Sequence, residues 1–356
     1  MRRIIVALIV LLLLCGRVCA AENNTDPTAD LSEGLSDEAM ELMPDAADSE
    51  PDLWSGCKEI FGKAIHNSFG SFYDGLRLCG ILLCILMLCS AIHLSGVDNK
   101  ESVLNFVGAL GICTAIMGTV RSMITMATGM VQDMSSYGSF LLPALSTVTA
   151  MGGGITSAGA LYAGTIIFSQ ILLQLISKLL IPLIYIYIAM ATAEAAMGNQ
   201  MLTELREFVG WIISKSLRIL LYIFLAYMTI TGVISGSTDA AAVKATKAAV
   251  SGMIPVVGSI LSDASETLLS GAAIMKNSVG VFGMLAVLAC CILPILKVGV
   301  QYLLLKITAA VGGTMGNASQ VRLIKEFSKA MGYLLAMCAS AALLLLIGIV
   351  CLMRVA

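Results

Sequence analysis

From residue 76 to the C-terminus the chain is a succession of long apolar runs separated by isolated charges, and this constrains its fold more than any motif does. A helix of about 20 apolar residues matches the hydrocarbon thickness of a bilayer, and in lipid only helices and closed barrels satisfy their own backbone. The runs are too long for membrane strands of about 10 residues, so the expected class is all-α and polytopic. Composition agrees. Of 356 residues, 58% are hydrophobic and 12% charged, with a mean hydropathy of +0.93, which leaves too little charged surface for a soluble chain.

Residues 76–94 and 103–120 read as a first pair of spans, joined by a link that holds Asp98, Asn99, Lys100 and Glu101. Over 122–150 the pattern weakens into a stripe of Met123, Met126, Met130 and Met134, followed by Pro143; this is a third span or a re-entrant element. The run 155–197 contains only Lys178 and Glu194 as charges. As one helix it would reach about 60 Å at ~1.5 Å per residue, so two spans split near Lys178 and Pro182 are expected. Residues 211–234, 279–305 and 330–353 complete a count of seven or eight. Cytoplasmic loops carry the excess of Lys and Arg. Eight spans put Arg206, Lys215 and Arg218 on the same side as Lys306, Arg322, Lys325 and Lys329. Both termini and residues 235–280 then face the extracytoplasmic side.

The stretch 235–280 fits neither a polar loop nor a plain span. It is rich in Ala, Ser and Gly, and its charges are Asp239, Lys244, Lys247, Asp263, Glu266 and Lys276. Small side chains let helices approach closely, while Pro255 and Gly258 interrupt a helix. It reads as helix–break–helix, either re-entrant or a surface hairpin. On a helix Asp263 and Glu266 share a face, as do Lys244 and Lys247. Broken helices in transporters place their ends near the midplane, where solutes bind. Lys244, Lys247, Asp263, Glu266 and Lys276, with Pro255 and Gly258 at the break, are therefore candidates for lining a route or docking a partner. The plainer reading is an exterior amphipathic hairpin whose charges are solvated. Lys297, three residues past Pro294 in an apolar run, is a further candidate. Glu194, near a span end, reads as a snorkelling or capping carboxylate.

Met1, Arg2 and Arg3, an apolar stretch to Leu14 and small residues up to Ala20 form a cleavable signal peptide over 1–20. Residues 21–75 are expected to be a flexible acidic extracytoplasmic segment: 12 of the 23 acidic residues fall within 22–59, where Lys58 is the single base. Its end carries Trp54, Ile60, Phe61, Ile65, Phe69 and Phe72 at helical spacing, as an amphipathic helix lying on the membrane or packed on its own protein. Residues 76–356 form the transmembrane domain. No basic stripe suggests nucleic acid. Walker A, dinucleotide, nucleophile-elbow and HExxH patterns are lacking. Most of the cysteines sit in apolar runs as small hydrophobes, and His66 and His93 have no ligand spacing, so neither enzyme chemistry nor a cofactor or metal is expected.

Residues 239–280, DAAAVKATKAAVSGMIPVVGSILSDASETLLSGAAIMKNSVG, and the following segment with Pro294 and Lys297 resemble the stage III sporulation protein AE family of endospore-forming bacteria. The signal, the acidic N-terminal region and the polytopic remainder agree, so the resemblance covers nearly the whole chain. It implies a multi-pass protein of the mother-cell membrane around the forespore, acting after engulfment. Other stage III sporulation proteins would be its assembly partners, with a forespore membrane channel partner across the intermembrane space. The assembly would form a channel, or feeding apparatus, that supports late forespore gene expression, and a YidC-type insertase would serve its insertion in the lipid bilayer. No catalytic residues come with the resemblance. The alternative is a transporter-like permease for a small solute, using the broken helices at 235–280.

Overall fold

The computed structural model describes residues 37–43, 53–94, 101–151, 155–253, 257–315 and 318–354, with the side chains of 231–277 outside that description. Among the described residues the chain is helical, without a strand. A short α1 (Asp37–Leu42) precedes α2 (Leu53–Leu94) and α3 (Glu101–Met151). Next, α4 (Ile155–Leu175) passes through a π turn (Ile176–Leu180) into α5 (Ile181–Met197). Then come α6 (Gln200–Met253), α7 (Val257–Gly312), a 3-10 turn (Gly313–Met315) and α8 (Ala318–Arg354).

The π turn has a local cause. Pro182 lacks an N–H and its ring crowds the carbonyl four residues back, so a regular α-helix cannot pass through 178–182 undisturbed. The chain widens instead, and the Ile181 N–H bonds to the Ile176 carbonyl. It does not reverse. Along α4 and α5, Thr165 lies against Gly348, Tyr187 against Tyr333, and Ser319 donates to the Ala195 carbonyl at 2.9 Å. The pairing with α8 is therefore antiparallel and continuous from one end of the rod to the other. The two spans expected over 155–197 are one rod.

The remaining contacts fix the other directions. Cys89 of α2 meets Gly108 of α3, and Gly108 meets Gln320 of α8, while Gly138 meets Leu345; α3 and α8 run parallel. On α7, Leu285 fits against Gly56 of α2 and Gly312 against Leu86, so α2 and α7 are parallel as well. A Cβ on Gly283 would stand 2.8 Å from Leu141, which explains a glycine where α3 and α7 cross. The links after α2, α5 and α7 thus gather at one end, with Lys306, Arg322, Lys325 and Lys329 close by: the basic end. Gly198 forms one of these links. Its φ of +66° suits a residue without a Cβ, and its N–H closes α5 on the Glu194 carbonyl at 2.7 Å.

Helices α7 and α8 form the centre. Val287, Val298, Leu305, Ile324, Ala330, Met331, Cys338, Ala342 and Ile349 are fully buried along them. Met130 and Met134 of the α3 stripe pack into this core, as packing residues rather than ligands. Helix α2 runs unbroken from the amphipathic stretch into the first apolar run. It packs on its own protein through Ile60, Ala64 and Ser68 and leaves Phe61, Ile65, Phe69 and Phe72 exposed.

Six helical runs among the described residues are long and apolar enough to cross a membrane: Trp54–Ile92, Val103–Val148, Lys178–Met197, Gln200–Tyr227, Ser278–Gly312 and Ala318–Val350. The seven or eight expected is thus an approximate count. Residues 103–120 and 122–150 are one helix, and 155–197 is one rod. Each merger removes one span and together they remove two, so the sidedness expected for the basic residues is unchanged.

A buried ion network as candidate functional site

Three helices meet near the basic end around Arg206, which is 3% exposed. Gly198 turns the chain from α5 into α6, and Asn199 accepts from the Met201 N–H at 2.9 Å, capping α6. This short turn sets Arg206 of α6 against Glu194 of α5. The guanidinium Nε donates to Glu194 Oε2 at 2.7 Å, and Nη1 donates to Glu326 Oε2 of α8 at 2.5 Å. Tyr187 hydrogen-bonds the same Glu326 oxygen through its hydroxyl, which also accepts from Arg206 Nη1 at 3.3 Å. The Tyr187 ring meets Tyr333 edge-on at 5.4 Å. Lys329 donates to Glu326 Oε1 at 2.7 Å, and Arg322 stands 3.4 Å from Glu194 Oε1. Two buried carboxylates are thereby matched by one buried and two half-exposed cations.

All the buried members lie inside candidate spans. An isolated charge there is expensive, and such groups face the protein interior and pair with one another. The network closes on itself, so its evident action is to hold α5, α6 and α8 in one register. Removing one partner leaves an uncompensated buried charge, which typically costs about 3–5 kcal/mol.

Of the route-lining or docking candidates read from the sequence, Lys297 alone has its charged side chain among the described residues, and it takes no part in this network. Lys244 and Lys247 fall on the helical backbone of α6, and Gly258, Asp263, Glu266 and Lys276 on that of α7; their side chains lie outside the described residues, as does Pro255 altogether. Helix α6 is described to Met253 and α7 from Val257; the break expected at Pro255 falls on residues outside the described ones. Lys297 is half-buried on α7, and Pro294 does not interrupt that helix. Glu194 differs from expectation: at 4% exposure it neither snorkels nor caps, because Arg206 offers it a charge partner inside the protein. Arg206 was read only as one of the bases on the inner side, and Glu326 was not singled out. Their pairing spans 120 residues, and no spacing signals it.

A cavity of about 800 Å³ opens between α3 and α7, lined by Arg121, Ser122 and Asp133 of α3, Cys290 and Pro294 of α7, and Glu38 of α1. It is a side groove, separate from the network. Among the described residues no cluster of His, Cys, Asp and Glu has the makings of a metal site.

A packed helical core with paired intramembrane charges defines a multi-pass α-helical membrane protein. The sequence profile of the stage III sporulation protein AE family matches residues 49–356, and the chain belongs to that family. It is 23% identical over 323 residues to the stage III sporulation protein AE of Bacillus subtilis (strain 168), covering 90% of this chain and 79% of the relative. No solved structure matches. The chain is thus a sporulation-related membrane component.

Proposed function

We propose that the protein is a non-enzymatic subunit of the sporulation channel, or feeding-apparatus, assembly, in the mother-cell membrane around the forespore. There it supports late forespore gene expression after engulfment. Its contacts are other stage III sporulation proteins and a forespore membrane channel partner, and a YidC-type insertase serves its insertion. The observation that carries a scaffolding role is the filled axis of the bundle. Away from the basic end, over Val287–Val298 on α7 and Ala330–Ile349 on α8, the buried positions are apolar except Ser340, whose hydroxyl donates to the Ala336 carbonyl; the buried polar residues Gln301, Thr308, Gln320, Glu326 and Ser328 fall toward the basic end. A route through one chain needs open or polar positions along the whole of that axis, and the cavity between α3 and α7 lies to its side.

The helical arms at 235–280 are the docking element in this reading. Gly164 meets Tyr227, and Gly280 meets Met353 close to the end of α8. Counting along the helices from these contacts, α6 and α7 continue past the turn between α3 and α4 by about 25 Å at 1.5 Å per residue. Asp263 and Glu266 fall on this extension. The test replaces both, Asp263→Asn with Glu266→Gln, in sporulating cells. Docking through these carboxylates predicts that assembly members no longer co-purify. A permeation route predicts an intact assembly with forespore gene expression lost. Normal sporulation would remove both residues from either role.

A further inference from the structure

One side of α3 is polar over several turns inside the candidate span Val103–Val148. Arg121, Ser122, Thr125, Gln132, Asp133 and Ser136 are all exposed, at spacings of three, four and seven residues that gather them on that side. Ionisable groups inside spans face the protein interior or a water-filled cavity rather than acyl chains. Here the cavity is present: the groove of about 800 Å³ between α3 and α7 has Arg121 and Asp133 in its wall, with Glu38 of α1. None of these three takes part in an ion pair among the described residues. Gly118 and Gly129 also line the groove, and a Cβ on either would meet nothing within 4 Å.

The charges are sorted along the groove. Glu38 lies within electrostatic range of Asp133. Arg121 is twelve residues nearer the basic end, about 18 Å along the helix at 1.5 Å per residue. Between the two ends the wall carries the hydroxyls of Ser122 and Thr125 and the apolar Met126, Met130 and Leu293. A groove negative at one end, positive at the other and mixed between matches a dipolar ion whose own charges are equally far apart. We propose that it binds a short peptide with free termini, the ammonium group at Asp133 and Glu38 and the carboxylate at Arg121. Five extended residues span about 17 Å at ~3.4 Å each. The guanidinium can hold the carboxylate through two parallel hydrogen bonds. A free amino acid reaches one end only. A zwitterionic phospholipid carries both charges within its headgroup and likewise leaves one end unmatched. The site goes beyond the scaffolding role and does not depend on it, because the groove lies beside the filled axis and away from the arms at 235–280.

The full chain in a neutral detergent is dialysed to equilibrium against radiolabelled penta-alanine, and unlabelled compounds compete. Saturable binding is expected. The N-acetylated peptide and the C-terminal amide should each compete about tenfold less well, having lost one charge-assisted contact. Alanine and phosphatidylethanolamine should not compete. In Arg121→Gln the amide and the free acid compete alike, and in Asp133→Asn the penalty for N-acetylation shrinks; both readouts are ratios and do not depend on how much of the variant folds. Gly129→Leu puts a side chain into the open groove and abolishes binding, while its thermal midpoint does not fall, since leucine favours the helix more than glycine does. Absence of saturable binding, equal competition by the blocked peptides, or full binding in Gly129→Leu overturns the proposal. Displacement by phosphatidylethanolamine as effective as by penta-alanine overturns it too, and makes the groove a lipid site.

Discussion

Arg206 ties three helices together, because it neutralises carboxylates from two different helices where water is excluded. Arg206→Met leaves Glu194 and Glu326 buried without their main partner, and is expected to destabilise the fold by about 3–5 kcal/mol, measured by denaturant unfolding in micelles. The triple replacement Glu194→Gln, Arg206→Met, Glu326→Gln removes the charges together and should recover a large part of that loss. A single variant as stable as the native protein would mean that the network contributes nothing. Tyr187→Phe tests the hydroxyl: it loses a hydrogen bond to a charged group and should cost about 1–3 kcal/mol. Little of this was legible. Glu194 stood out as an acid in an apolar run, but its partners lie 12 residues away across a turn and on a helix more than 120 residues further along.

Among the elements, the rod of α4, the π turn and α5 is the one whose geometry the sequence half disclosed. Lys178 and Pro182 marked a discontinuity, and the reversal inferred from it is absent. A π turn holds one residue more than the α-helix needs. Deleting the exposed Leu179 together with Pro182→Ala should therefore restore a regular helix and keep Glu194 on Arg206, shifting the unfolding midpoint by only about 2–4 °C, the equivalent of roughly 1 kcal/mol. Inserting one Ala after Ile186 instead rotates the rest of α5 by about 100°, since a turn takes 3.6 residues. Glu194 then leaves its partner, and the insertion should destabilise the fold about as much as Arg206→Met. Equal behaviour of the two variants would show that the rod does not set the register of the network.

For the whole molecule, six passes and eight passes have the same parity, so both put the basic end inside and the arms outside. Cysteine reporters at Ala240 and at the exposed Ala318, in a background without reactive thiols, should react with a membrane-impermeant reagent from opposite sides. Labelling from the same side would sink the topology. The sequence by itself determined the all-helical membrane class and the family, because hydropathy and a local stretch of 42 residues at 239–280 are properties of neighbours along the chain. Only the tertiary structure decided that 155–197 is one rod and that the axis is filled. It also decided that Glu194, Arg206 and Glu326 belong together. These depend on which helices lie side by side and at what level, and in a chain apolar on nearly every face the hydrophobic pattern does not single out a neighbour. Packing and the pairing of buried charges do.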